Sequence, residues 1–193
     1  MQSDTPENLH FDFSPFPELS SERLLLRKLR RNEAPEMLFL RSDERVMRYI
    51  DKARTTSIEE AQKWVDMIID GIDKNELINW GITVKGDEKL LGTLGFWNIR
   101  KEHSRAEIGY NLHPDSWNKG IMSEAIGMAL KYAFNVMNLH SIDANINPAN
   151  EASASVLTKN GFVREAYYKE NFFYNGNFLD TAVYSILNPA HRK

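Results

Sequence analysis

The stretch from Ala106 to Ile146 places the strongest constraint on the fold. It begins with Ala106–Leu112, which has the pattern of a strand, and continues through a connection rich in turn residues. An amphipathic pattern follows from about residue 120 to residue 135, and Ser141–Ile146 has the pattern of a second strand. A strand–helix–strand unit makes its two strands parallel, with a right-handed crossover. We therefore predict a parallel pair of strands here.

The rest of the chain adds helices and strands around this unit. The predicted elements are a strand over 23–28, helices over 32–42, 58–74 and 153–159, a hairpin of 80–84 and 90–97, and a closing hairpin of 162–173 and 178–187. Ser57 and Glu60 form a capping box before the second helix, and Asn175-Gly176 is a strong hairpin signal. Residues 43–54 are predicted to be a connecting segment. This order predicts one α/β or α+β domain with a mixed sheet.

Length and composition favour a single domain that needs no disulfide bond for stability. The 193 residues leave room for a domain over 21–190 and an N-terminal arm over 1–20, in which four apolar residues stand among polar ones (Leu9, Phe11, Phe13 and Phe16). The absence of cysteine excludes thiol nucleophiles and cysteine metal ligands. A net charge of −3 argues against a protein that coats nucleic acid. The polar start and the lack of a membrane-length apolar run predict a cytoplasmic location, away from membranes.

The connection between the first strand and the helix has the features of an anion site. Pro114 fixes φ, Gly120 permits close backbone approach, and Lys119 adds a positive charge. The first turn of the helix points unpaired N–H groups into this loop, which suits a phosphate or pyrophosphate. The alternative is an ordinary strand-to-helix connection that binds nothing.

Other kinds of catalytic site find little support in the sequence. It contains no nucleotide P-loop, no dinucleotide-binding glycine motif and no nucleophile elbow, and its five histidines are not at metal-ligand spacing. A second polar cluster, residues 147–155, follows the strand Ser141–Ile146. Asn150 or Ser153 could simply cap the next helix. However, both clusters follow the carboxyl ends of neighbouring parallel strands, where ligands bind in such sheets.

Three motifs in this order resemble the GNAT acyl-CoA N-acyltransferase superfamily. They are Ala106-Glu107-Ile108-Gly109-Tyr110-Asn111-Leu112, Trp117-Asn118-Lys119-Gly120-Ile121-Met122-Ser123-Glu124-Ala125, and Asn150-Glu151-Ala152-Ser153 with Lys159-Asn160-Gly161-Phe162. The chain is most similar to the branch that contains ribosomal-protein alanine N-acetyltransferases. The resemblance implies an α+β fold with α/β-type layers: a mixed, mostly antiparallel twisted sheet with a central parallel βαβ unit and helices on both faces.

The resemblance also implies acetyl-CoA as the acyl donor, with no metal. Its pyrophosphate would rest on the main-chain amides of the loop, which comprises Trp117, Asn118, Lys119, Gly120, Ile121 and Met122. Its pantetheine would pair with the backbone of Tyr110, Asn111 and Leu112, and Asn150 would hold it from the other side. Two departures stand out. Trp117 and Met122 replace the usual ends of the loop motif, and Leu157 occupies the position of the tyrosine general acid in many relatives.

In the predicted mechanism an amine attacks the thioester directly in a ternary complex. Glu107 is the candidate base, although it could equally be a surface glutamate. A backbone N–H near Gly109–Asn111 is the candidate donor to the oxyanion. Ser153 is the candidate acid or hydrogen-bond donor for the leaving thiolate, with Tyr167 or Tyr168 as substitutes.

The acceptor is less defined than the donor. An N-terminal α-amine of a protein, such as a ribosomal one, is the first expectation, because its pKa of about 8 eases proton removal. A small-molecule amine such as a polyamine or aminoglycoside is the second, and a CoA-binding sensor without turnover is the third. The sequence leaves open whether the protein is a monomer or a homodimer.

Overall fold

The computed structural model describes residues 12–191. The strands are β1 (Leu19–Ser20), β2 (Leu24–Lys28), β3 (Ile78–Val84), β4 (Gly92–Arg100), β5 (Arg105–Leu112), β6 (Ser141–Ile146), β7 (Val163–Tyr174) and β8 (Asn177–Leu187). The α-helices are α1 (Ala34–Ser42), α2 (Glu44–Met47), α3 (Ile58–Asp73), α4 (Ile121–Asn135) and α5 (Glu151–Lys159). Short 3-10 turns occupy Arg31–Glu33, Lys101–His103, Pro114–Ser116 and Pro189–His191.

All eight strands belong to one mixed sheet in the order β1-β2-β3-β4-β5-β6-β8-β7. Every neighbouring pair is antiparallel except β5 and β6, which are parallel and are joined by α4. The predicted βαβ unit and mixed sheet are therefore confirmed. The order also puts β7 at an edge of the sheet, separated from β6 by β8.

The parallel pair is short. Its register covers Arg105, Ala106 and Glu107 of β5, and beyond Glu107 the two strands no longer pair within the described residues. Residues 108–112 of β5 and 144–146 of β6 consequently face each other across an opening in the middle of the sheet. We call this opening the strand gap. Residues 113–122 and 147–153 follow its two sides.

Helices cover both faces of the sheet. On one face, the ring of Tyr132 in α4 meets Trp80 of β3 edge-on, and Asn160 after α5 donates to Ser123 of α4. On the other face, Trp64 of α3 meets Trp97 of β4 edge-on, because Trp97 alternates with the buried Phe96 along that strand. We call these the α4 face and the α3 face.

Some element boundaries differ from those predicted. Residues 43–54 contain the helix α2, because the Asp43 carboxylate accepts the amides of Arg45 and Val46 and caps it. Helix α5 begins at Glu151 rather than 153, because Asn150 caps it. Strand β4 extends to Arg100 through a bulge that includes Asn98, whose φ is 47°.

The part of the predicted N-terminal arm that the structure describes lies against the domain. Phe13 is buried, Phe16 packs edge-on against Trp80, and the carbonyl of Pro17 accepts the Trp80 indole N–H at 2.7 Å. Leu9 and Phe11 lie outside the described residues, and the division at residue 20 stays a prediction. Within residues 12–191, no helix is both long and apolar enough to cross a membrane.

Candidate active site

The loop before α4 leaves the helix N-terminus uncapped. Asn118 and Gly120 have positive φ values of 58° and 73°, and no side chain caps the helix at Gly120. Glu124 makes the first helical hydrogen bond, to the Gly120 carbonyl, so the three amides before Glu124 have no intrahelical partner. A Cβ added at Gly120 would meet only an Arg23 nitrogen, at 3.8 Å. The loop therefore presents open donors at the positive end of the helix.

Of the positively charged side chains around this loop, one is paired with a carboxylate and one is free to bind an anion. The Arg23 guanidinium pairs with the Glu124 carboxylate and also donates to the Lys119 carbonyl at 3.4 Å. Hydrogen bonds from Ser21 and Arg23 lower the pKa of Glu124, which keeps it ionised and neutralised by Arg23. Lys119 is exposed and pairs with no carboxylate among residues 12–191. The free positive charge at the loop is therefore that of Lys119.

Trp117 fixes the loop to the end of β5. Its indole N–H donates to the Leu112 carbonyl at 2.8 Å, while 39% of the residue stays exposed. Ile121 and Met122 are buried side chains whose backbone, rather than side chain, faces the loop opening. The two unusual residues of the motif, Trp117 and Met122, thus brace the loop and leave its main-chain donors free.

On the α4 face, the strand gap is bordered by a tyrosine–serine pair. The Tyr110 hydroxyl lies 2.7 Å from the Ser153 hydroxyl, and burial raises the pKa of Tyr110 to about 12. Asn150 caps α5 by accepting the Ser153 amide at 3.0 Å, which is the simpler of its two predicted roles. Leu157 is fully buried, so the position of the usual acid belongs to the core here.

Glu107 lies on the α3 face, opposite to Tyr110 and Ser153. Its carboxylate accepts from the Asn98 side-chain amide at 2.9 Å, and Asn98 is the positive-φ residue of the β4 bulge. The register places Asp143 of β6 beside Glu107, and Asp143 pairs with Arg105. The structure therefore brings Glu107 together with Asn98, and Ser153 with Tyr110, but not Glu107 with Ser153.

The two alternative tyrosines lie elsewhere. Tyr167 and Tyr168 are both about half exposed on β7, and β8 separates them from the strand gap. The Tyr167 hydroxyl donates to Asp180, and this hydrogen bond raises the pKa of Tyr167. The structure does not bring either hydroxyl to Ser153.

A row of side chains on the α3 face leads from β5 to α1. The Trp97 indole nitrogen is 3.1 Å from the place where a Gly109 Cβ would stand, and the Trp97 and Trp64 ring centroids are 6.3 Å apart. The Arg41 guanidinium carbon lies 3.7 Å from the centroid of the Trp64 ring. Arg41 donates to the Thr55 hydroxyl at 3.1 Å, and burial lowers its pKa to about 10. We call the two tryptophans, Trp64 and Trp97, together with the arginine stacked at their end, Arg41, the aromatic row.

The segment that contains Thr55 also reaches the strand gap. The Asp51 carboxylate accepts from the Asn147 side chain at 3.4 Å, and Asn147 directly follows β6. Residues 51–55 therefore form a wall of the opening on the side of the aromatic row. Sequence reasoning missed the aromatic row, Asn98 and Asp143. The one usable signal was Asn98, since asparagine within a strand pattern often marks a positive-φ bulge.

Comparison with known proteins identifies a common family. Residues 23–163 match the acetyltransferase (GNAT) domain. The chain is 35% identical over 174 residues to the uncharacterized N-acetyltransferase YoaA of Bacillus subtilis, covering 90% of this chain and 98% of that protein. A GNAT-family acetyltransferase structure from Bacillus anthracis superposes with a TM-score of 0.80 at 31% identity, covering 89% of this chain and 99% of that one.

Two further solved structures are similar, and they differ in acceptor. The ribosomal-protein-S5-alanine acetyltransferase from Vibrio fischeri has a TM-score of 0.79 at 25% identity, covering 92% and 100% of the two chains. The spermidine N-acetyltransferase from Vibrio cholerae, in complex with CoA and spermine, has a TM-score of 0.77 at 26% identity, covering 87% and 97%. Among relatives of this chain, the acceptor can thus be a protein or a polyamine.

Proposed function

The chain belongs to the GNAT acetyltransferase family, and on that basis we propose that it transfers an acetyl group from acetyl-CoA to the N-terminal α-amine of a peptide or protein. N-acetyltransferase activity follows from the family. The observation that carries the proposal for the donor is the strand gap, which opens beside an uncapped helix N-terminus. Neither feature has a partner in the described chain, and together they fit an elongated ligand that ends in a pyrophosphate.

The residues present fit this donor. The unpaired amides at the start of α4, the open space over Gly120 and the free charge of Lys119 suit the pyrophosphate. Residues 110–112 offer backbone along the gap, with Asn150 across from them. The Asn111 side chain already accepts from the Thr93 amide and hydroxyl, both at 3.1 Å, so Asn111 would contribute its backbone. Acetyl-CoA, when bound, supplies an acetyl group activated as a thioester.

Glu107 would accept the proton that the acceptor ammonium must lose. Asn98 holds one carboxylate oxygen, which orients the group and leaves the other oxygen for the amine or a bridging water. Asp143 is occupied by Arg105, so Glu107 is the carboxylate of this pair that remains available. An α-amine suits such a base, because its pKa of about 8 lies well below the value of about 10.4 for lysine.

Ser153 and Tyr110 would stabilise the leaving thiolate by hydrogen bonding. A thiol has a pKa near 8.5, whereas the Tyr110 pKa is about 12, so Tyr110 keeps its proton when a thiolate is present. We therefore assign Tyr110 as donor to Ser153, and Ser153 as donor to the sulfur. The attacking nitrogen would lose a second proton as the amide forms, and that proton, passed through water or the Ser153 hydroxyl, would neutralise the thiolate.

The proposal is tested by release of CoA thiol. Because the chain has no cysteine, a thiol reagent detects CoA without background from the protein. The protein is incubated with acetyl-CoA in separate reactions, each of which contains one acceptor: an α-amine peptide, spermidine or an aminoglycoside. Release of CoA thiol with peptides supports the proposal. Release with the small amines alone would mean that the acceptor is a small-molecule amine instead of a peptide. Saturable CoA binding without release under any condition would make the protein a CoA sensor.

A further inference from the structure

We propose that Arg41 is a carboxylate-binding site that selects acceptor peptides with an acidic side chain at their second or third residue. This inference rests on the proposed function, because it concerns the same acceptor cleft. It adds a chemical requirement on the acceptor that neither the family nor the motifs provide.

Arg41 is unusual among the arginines of the described chain in lacking a carboxylate partner while being partly buried. Its guanidinium is stacked on Trp64 and donates once, from Nε to Thr55. Of the other arginines in the described chain, three lack a carboxylate partner but are exposed (Arg48, Arg100 and Arg164), and the rest pair with carboxylates, namely Arg23, Arg27, Arg30, Arg31, Arg45, Arg54 and Arg105. Partly removing a charge from water is costly unless the charge gains hydrogen bonds, so an unpaired and partly buried arginine is a candidate for binding an external anion.

The orientation of Arg41 suits a carboxylate. Stacking on Trp64 uses the flat face of the guanidinium, and the Thr55 contact uses Nε. The two Nη groups make no hydrogen bond with residues 12–191, and they are not among the fully enclosed unpaired atoms of the structure. A planar guanidinium held in this way offers two parallel N–H donors, which match a carboxylate. The same positive charge would repel a polyamine.

The position of Arg41 sets the length of the acceptor. The rings of Trp64 and Trp97 separate Arg41 from Gly109 of β5. At usual ring spacings, the distance from Arg41 to Gly109 is on the order of 10 Å. An extended peptide advances about 3.3–3.6 Å per residue, so the side chain of the second or third residue can reach Arg41 when the amine is at the strand gap. The amine and carboxylate of a free amino acid are too close together to span this distance.

The test compares matched peptides. Wild-type protein is assayed with Ala-initiated peptides that differ only in Asp or Asn at position 2 or 3, with free aspartate, and with spermidine. We expect kcat/KM for the better Asp peptide to exceed that of its Asn twin by about tenfold or more. In Arg41→Gln, the Asp peptide should fall to the level of the Asn peptide, whose own rate should change little.

Two variants control for structure. Arg48→Gln removes an exposed arginine beside Tyr49 in the same segment and should keep the full preference for Asp. Arg41→Lys keeps the charge but loses the fork of donors, so it should retain only part of the preference. Unchanged CoA binding in each variant shows that the fold is intact.

The outcomes separate this inference from the proposed function. Equal turnover of Asp and Asn peptides by wild type overturns the inference and leaves peptide acetylation standing. A preference for spermidine, or for free aspartate over the Asp peptide, also overturns it. If none of the amines causes thiol release, the proposed function itself is refuted.

Discussion

Substitution of Gly120 by aspartate tests the placement of the donor most directly. Gly120 has a positive φ, and an added Cβ would have no close neighbour. The change would therefore put a carboxylate at the open mouth of the α4 N-terminus without a steric clash. The nearby Arg23 guanidinium is already paired with Glu124, so it would neutralise the new carboxylate only in part.

The expected effect follows from Coulomb's law. A carboxylate about 5 Å from a phosphate charge, at an effective dielectric constant of about 20, is repelled by about 3 kcal/mol per unit charge. That corresponds to a weakening of CoA binding by about a hundredfold or more. Gly120→Asn has the same shape and also tolerates a positive φ, so it should weaken binding by less than about tenfold.

Calorimetric titration with CoA gives the affinities, and acetyl-pantetheine provides a matched donor. Acetyl-pantetheine lacks the pyrophosphate, so Gly120→Asp should leave its kcat/KM nearly unchanged. The pyrophosphate does not bind at Gly120 if the Asp and Asn variants bind CoA equally, or if Gly120→Asp lowers kcat/KM equally for acetyl-CoA and acetyl-pantetheine. A higher salt concentration should reduce the difference in CoA affinity between Gly120→Asp and Gly120→Asn, because salt screens the repulsion between the carboxylate and the phosphate.

Three further predictions concern the catalytic groups and the loop. Glu107→Gln should lower kcat by about 10²–10⁴-fold with CoA affinity unchanged, and a fully active variant in the thiol-release assay would remove Glu107 from the mechanism. Tyr110→Phe should slow turnover modestly, and it should also change stability at high pH. Because the folded pKa of Tyr110, about 12, exceeds the unfolded value of about 10, Tyr110 alone should cost wild type up to about 2 kcal/mol of unfolding free energy as the pH rises from 10 to 12. Denaturant titrations should show a smaller loss in Tyr110→Phe, and equal losses would contradict the assignment. Trp117→Phe removes the hydrogen bond to Leu112 and should weaken CoA binding several-fold, because the loop is held less firmly. Calorimetric titration would measure the affinity, and the melting temperature should stay unchanged.

The elements of the fold were largely readable because they depend on local patterns. The βαβ unit, the capped helix after Ser57 and the Asn-Gly hairpin each have a short-range signal, and all three are present. Helix α2 was missed because its cap, Asp43, stands in a segment without clear periodicity. The bulge at Asn98 shifts the register of β4, and such shifts depend on pairing between strands rather than on one strand alone.

The site was only partly predictable because it combines local and distant contacts. Glu107 and Ser153 were predicted from separate motifs, but alternation along β5 puts Glu107 on the face opposite to Tyr110, which contacts Ser153. That pairing depends on where β5 and β6 diverge, which no local pattern specifies. Likewise, the sequence contains many arginines, and only the packing of α1 against α3 leaves Arg41 without a carboxylate.

The shortness of the β5–β6 pairing has a consequence for cooperativity. Strands β1–β5 and strands β6, β8 and β7 are two blocks of hydrogen-bonded sheet that share a boundary of three paired residues. A ligand that bridges this boundary binds the closed arrangement only, so it must also suppress transient separation of the blocks. We expect amide hydrogen exchange in β6 and β8 to slow as donor is added. The cellular supply of acyl donor would then set how long the molecule persists as well as how fast it works.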